Sequence, residues 1–173
     1  SGTAALLLSL LWWRSRMSPE FNGRPLVGLP RRTYVSVACA AKQAGCDAVK
    51  VQNYETAEFL LAGHKDWGLF ESCEIWQFLP ELCEYTHSLG LQFGTTPATT
   101  AGVLQAEDVG VDFLKCGSDN ILHRRMITAM VETGLPVWVS TGMATKDELL
   151  DVPVPAKLML CTSLYPCPNE LAN

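Results

Sequence analysis

From Thr33 onward, short apolar runs alternate with segments whose apolar residues recur every three to four positions. Val35, Ala38, Cys39 and Ala41 fall at helical spacing, so Thr33–Ala44 is predicted as a helix with Gly45 as its stop. Asp47–Gln52 then reads as a strand. Trp67–Leu89 reads as a helical stretch interrupted at Pro80 and ended by Gly90. Leu91–Thr95 is the next predicted strand, followed by a helix over Thr99–Val109 that stops at Gly110. Asp112–Cys116 is a strand, Ile121–Thr133 a helix, Val137–Ser140 a strand, Lys146–Leu150 a short helix and Lys157–Cys161 a last strand. Pro25–Leu29 is a candidate sixth strand ahead of the first helix.

Repeated strand–helix alternation with short connections predicts a parallel sheet covered by helices. Such a sheet either closes into a barrel or stays open and doubly wound. Neither GxGxxG nor GxxxxGK[ST] occurs, which removes support from the common nucleotide-binding open sheets. A complete eight-unit barrel takes about 250 residues, whereas this chain has 173. The expected fold class is α/β, a partial (β/α) TIM-type barrel of about five to six βα units. It is expected to occupy residues 21–173, behind an atypical extension over residues 1–20.

Composition narrows the function classes. Apolar residues make up 48% of the chain, which suits a packed core rather than a disordered tail. The net charge of −5 and the lack of a Lys/Arg run argue against nucleic acid as a partner. Cys39, Cys46, Cys73, Cys83, Cys116, Cys161 and Cys167 form no CxxC pair and no metal-spaced Cys/His pattern. They read as free thiols in a reducing, cytoplasmic compartment. The apolar run Ala4–Trp13 is shorter than the ~20 residues a membrane span needs. Arg14 and Arg16 follow it instead of preceding it, unlike a secretory signal, so no membrane partner is expected.

The chemistry gathers at the predicted C-terminal strand ends, where barrel enzymes assemble their sites. In order these read Lys50-Val51-Gln52, Thr95-Thr96-Pro97, Lys115-Cys116-Gly117-Ser118, Ser140-Thr141-Gly142 and Cys161-Thr162-Ser163. Lysines inside apolar parallel strands are unusual, because such strands are buried on both faces. One such lysine could simply snorkel to water. The same polar character at five strand ends favours a pocket in which Lys50 and Lys115 converge, with Thr96, Ser118 and Ser140 around them. That pocket suits a small phosphorylated or carboxylated molecule. Schiff-base chemistry on a lysine is the alternative use of the same residues.

At these positions the chain resembles the N-acetylneuraminate (sialic acid) synthase family. The resemblance rests on AGCDAVKVQ, the TTP after a strand, FLKCGSDN, GLPVWVSTGMAT and LCTSLYPCP, in that order, from about Lys42 to Glu170. It implies a barrel transferase that condenses phosphoenolpyruvate with an N-acetylated sugar such as N-acetylmannosamine. The products would be a nine-carbon 2-keto acid and phosphate. A divalent metal, manganese or magnesium, is implied as cofactor, with ligands that this chain does not contain.

Carried over by position, Lys50, Thr96, Lys115, Ser118 and Ser140 match phosphoenolpyruvate-binding residues, and Gln52 is counted with them as substrate-binding. Ser163 and Tyr165 match positions contacting the sugar. Asp119 and Asn120 are the candidate catalytic pair, because Asn120 stands where the family usually has an acid and Asp119 is adjacent. Residues 1–33 hold no counterpart of the family's AEIG and NHxG motifs; Glu20 and Phe21–Gly23 are the nearest pieces. His64, His87 and His123 read as solvated surface residues rather than metal ligands. The unpaired edges of a partial barrel allow association into a homo-oligomer. A different phosphoenolpyruvate-condensing synthase and a non-catalytic anion-binding remnant remain open alternatives.

Overall fold

The computed structural model describes residues 29–164 and 167–171. Helix α1 (Leu29–Gln43) leads into β1 (Ala48–Asn53), short α2 (Trp67–Glu71) and α3 (Leu79–Ser88). Then come β2 (Gln92–Pro97), α4 (Thr100–Val109), β3 (Phe113–Cys116), α5 (Arg124–Glu132), β4 (Val137–Ser140), α6 (Lys146–Leu150) and β5 (Lys157–Met159). The strands form one parallel sheet in sequential order β1-β2-β3-β4-β5. Sequential parallel order with a helix in each crossover is the pattern of a (β/α) barrel wall, here a partial one.

Strand residues alternate between two faces. Val49 and Val51, Phe93, Leu114 and Cys116, and Val137 and Val139 enter one buried cluster with Ala38, Leu79, Leu82, Val103, Ala106, Met126, Ile127 and Met130 of the helices. The intervening positions therefore face the barrel interior: Lys50 and Gln52, Gly94 and Thr96, Phe113 and Lys115, Trp138 and Ser140, Lys157 and Met159. Two contacts agree with this parity. Lys157 Nζ lies 5.1 Å from the centre of the Trp138 ring, and a methyl on Gly94 would collide with the Phe113 ring. Gly94→Ala is accordingly expected to destabilise the chain by about 1–3 kcal/mol through overpacking, read by urea unfolding.

Local chemistry sets the element ends. Thr99 caps α4, its hydroxyl accepting from Gly102 N–H, and Gly110 closes that helix in the left-handed region at φ 79°. Thr145 and Glu148 cap α6 reciprocally. The helix expected from Ile121 begins instead at Arg124, because Ser118–Asn120 form a separate 3-10 turn and His123 Nδ1 caps α5 through Met126 N–H. The stretch Trp67–Leu89 breaks between residues 71 and 79, and Pro80 lies in the first turn of α3, where a missing N–H costs nothing. The last strand ends at Met159, not Cys161. Leu29 opens α1, while the rest of the candidate strand Pro25–Leu29 and the extension over residues 1–20 lie outside the described residues. No helix among the described residues is long and apolar enough to cross a membrane.

Candidate functional site

The site is built from the interior-facing residues at the strand ends. Lys50 is buried, and its ammonium donates to Thr96 Oγ1 at 2.8 Å and to Val51 O at 3.2 Å. Gln52 and Thr96 are register partners across β1 and β2. Thr95 pairs with Leu114, which brings the next positions, Thr96 and Lys115, side by side on the interior face. The two lysines thus approach each other around Thr96. Burial, and then the neighbouring positive charge of Lys115, lower the pKa of Lys50 from 10.5 to about 7. Burial also lowers the pKa of Lys115, against the opposing pull of Cys161, Cys116 and Asp119. Neither ammonium has a carboxylate ion-pair partner among the described residues.

Ser140 ends β4 on the same face. It is 2% exposed, and its hydroxyl has no hydrogen-bond partner. The buried Lys50, the half-buried Lys115 and the unpaired buried hydroxyl leave donors unspent, a set suited to a small anion.

The rim is closed by the loops after β3, β4 and β5. Ser118 Oγ accepts from Gly142 N–H at 3.1 Å. A Cβ on Gly142 would lie 2.5 Å from Ser163 Oγ, 2.8 Å from Ser118 Oγ and 3.3 Å from Cys161 O. Gly142 is thus the close-packed point where three loops meet. The sequence pattern gives Gly142 no role, although it is a glycine directly after the polar strand end Ser140-Thr141. Gly142→Ala is expected to weaken anion binding about three- to tenfold by displacing Ser118 and Ser163, a shift on the scale of one ordinary hydrogen bond. Titration calorimetry reads it.

Of the remaining expected residues, Asp119 is exposed at the rim and accepts from Asn120 Nδ2 at 3.4 Å. Its carboxylate is near enough to support the charged form of Lys115. Ser163 is exposed beside Gly142. Tyr165 lies outside the described residues. The histidines make local contacts, and His123 N–H donates to Asn120 O at 2.9 Å. His64 Nδ1 accepts from Asp66 N–H and His123 Nδ1 from Met126 N–H. His87 is exposed, as the sequence reading has it, and its Nε2 sits 2.7 Å from Asp112 Oδ2, which also accepts Phe93 N–H. No group of three or more His, Cys, Asp or Glu side chains gathers around a metal-sized position among the described residues. Among the described residues this donor set does not fit the divalent metal implied by the resemblance.

Parity and register define a partial (β/α) barrel wall that brings Lys50, Thr96 and Lys115 together at its strand ends. The NeuB family profile matches residues 37–173, and the chain belongs to that family. An uncharacterized protein of Methanocaldococcus jannaschii is 30% identical over 142 residues, covering 77% of this chain and 42% of that protein. The pseudaminic acid synthase of Helicobacter pylori is 26% identical over 157 residues, 78% of this chain and 46% of the enzyme. The N-acetylneuraminic acid (sialic acid) synthetase of Leptospira borgpetersenii serovar Hardjo-bovis, solved with citrate, superposes with a TM-score of 0.75 at 24% identity. That match covers 81% of this chain and 52% of the synthetase, and is a likeness of fold. The chain spans about half the length of the relatives it matches.

Proposed function

We propose that this chain carries the phosphoenolpyruvate-binding half of a sugar-acid synthase site. The observation that carries the reading is the buried Lys50, bonded to Thr96 with the half-buried Lys115 close by and neither in an ion pair among the described residues, together with the unpartnered Ser140 hydroxyl. In the proposed reaction, C3 of phosphoenolpyruvate bonds to the aldehyde carbon of an open-chain N-acetylated sugar. Water adds at C2 and phosphate departs, leaving a nine-carbon 2-keto acid when the sugar is N-acetylmannosamine.

Lys50 and Lys115 would neutralise phosphate and carboxylate oxygens, while Ser140, Ser118 and Thr96 orient them by hydrogen bonds. Gln52 and Ser163, at the rim, would meet the sugar, with Tyr165 as a further sugar contact. Asp119 would take the place of the acid usually found one position later, because the Asn120 amide cannot exchange a proton as a carboxylate does. A divalent metal acting in this reaction would be held by groups other than the described histidines.

Isothermal titration of the 173-residue chain with phosphoenolpyruvate tests the reading. Saturable one-site binding that inorganic phosphate competes away only weakly is expected, since phosphate engages half of the donor set. No binding, or equal affinity for phosphate, would remove phosphoenolpyruvate as the ligand.

A further inference from the structure

The pocket residues lie on the interior face, but the strand end that presents them is held from behind. Asn53 is the last residue of β1 and, by parity with Val49 and Val51, faces the helices. It is 3% exposed. Its Nδ2 donates to Gln105 Oε1 on α4 at 2.8 Å, and Gln105 Nε2 donates to Trp76 O at 3.0 Å. Trp76 Nε1 donates to Glu74 Oε2 at 3.2 Å, and Glu74 Oε1 accepts from Thr56 N–H and Thr56 Oγ1, both at 2.6 Å. This relay leaves the backbone at Asn53 and rejoins it at Thr56. It ties down both ends of the connection over residues 54–78, which is far longer than the usual few residues between a strand and the next helix.

The same strand end is the seam of the pocket. Asn53 pairs with Pro97, and Asn53 O accepts Ala98 N–H at 3.1 Å. One residue back, Gln52 pairs with Thr96, whose hydroxyl holds the Lys50 ammonium. Gly102 lets α4 sit close behind this seam, since a Cβ there would lie 3.1 Å from Pro97 Cβ and 3.7 Å from Asn53 Nδ2. Stability alone gives no reason for an amide at this position. Asn53 Oδ1 is buried without a hydrogen-bond partner, a cost that a leucine of similar size would avoid.

We propose that Asn53, acting through Gln105, is a positioning residue for the anion pocket: it fixes the ends of β1 and β2, and with them Gln52 and the Thr96–Lys50 pair. This rests on the reading of the pocket as a phosphoenolpyruvate site. A pocket that must match phosphate and carboxylate oxygens at once tolerates little drift of the strand ends that carry its donors.

The test compares the 173-residue chain with Asn53→Leu, Gln105→Leu and the double variant, reading phosphoenolpyruvate affinity by calorimetry and stability by urea unfolding. Each single variant is expected to bind about three- to tenfold more weakly, the scale of one ordinary hydrogen bond. Each should unfold at or above the urea midpoint of the unsubstituted chain, because Gln105 is half-buried and can turn its freed amide to water. The double variant should bind no more weakly than the weaker of the two singles, since both break one relay. A merely structural amide gives the reverse pattern, and an Asn53→Leu chain that unfolds earlier or does not fold overturns the proposal. Additive losses of affinity overturn it as well, because the two side chains would then act separately. Failure of the unsubstituted chain to bind phosphoenolpyruvate removes the pocket reading itself, whereas normal binding that neither substitution weakens removes only the positioning role.

Discussion

Lys50→Met is expected to weaken phosphoenolpyruvate binding about ten- to a hundredfold while leaving the chain as stable as before or more so. The two effects share one cause. The Lys50 ammonium is buried, with Thr96 Oγ1 and Val51 O as its acceptors and a second cation, Lys115, close by. In the unliganded chain, removing such a charge relieves a desolvation cost; replacing buried charges by apolar residues of similar volume is often neutral or stabilising by about 1–4 kcal/mol. In the complex the same ammonium would meet an anion, and a charge-assisted hydrogen bond is worth about 1.5–3 kcal/mol. Lys115→Ala should lose a similar amount of affinity, with a smaller stability gain because Lys115 is less buried. Calorimetry and urea unfolding on the same preparations separate the outcomes. Unchanged affinity with a loss of several kcal/mol in stability would make Lys50 a structural residue.

The same cost of a buried charge is what makes the candidate site legible in the sequence. A lysine between Val49 and Val51 in a run buried on both sides has no structural reason to be there. Strand parity then does the rest. Positions two apart share a face, so Lys50 with Gln52, and Thr96, Lys115 and Ser140 on the following strands, could be placed together before any coordinates. The fold was legible for the same reason, since β1 to β5 and their helices alternate with glycine stops at Gly45, Gly90, Gly110 and Gly134. What escaped was set by non-periodic contacts. The start of α5 depends on a 3-10 turn and on His123 acting as an N-cap, and both compete with an apolar pattern that would have begun at Ile121. The contact of the exposed His87 with Asp112 escaped because the two are distant in sequence, and Asp112 is also tied to Phe93 N–H. Gly142 gains its meaning only when the loops after β3, β4 and β5 are brought together.

Phosphoenolpyruvate affinity should fall as pH rises above about 7, while the unliganded chain becomes more stable over the same range. The ordinary lysine pKa of 10.5 applies to Lys50 in the unfolded chain, whereas burial and Lys115 bring it to about 7 in the folded one. Below pH 7 both states hold the proton, and the full cost of burying the charge is present. Between about 7 and 10.5 the folded chain has released the proton that the unfolded chain retains. The unfolded state then binds more protons, so stability climbs by up to about 1.4 kcal/mol per pH unit. Binding runs the other way. A bound anion favours the ammonium, so at pH 8 the complex must take up the proton that free Lys50 had released. The phosphate group, with a second pKa of about 6, is already ionised there and does not supply it. Affinity should therefore drop by up to about tenfold per pH unit above 7. Calorimetry at pH 8 in buffers of different ionisation enthalpy should show uptake approaching one proton per phosphoenolpyruvate bound, and Lys50→Met should abolish most of it. Flat affinity between pH 7 and 9 with no proton uptake would mean that Lys50 stays charged in the free chain, and that the crowding of the two lysines does not govern the pocket.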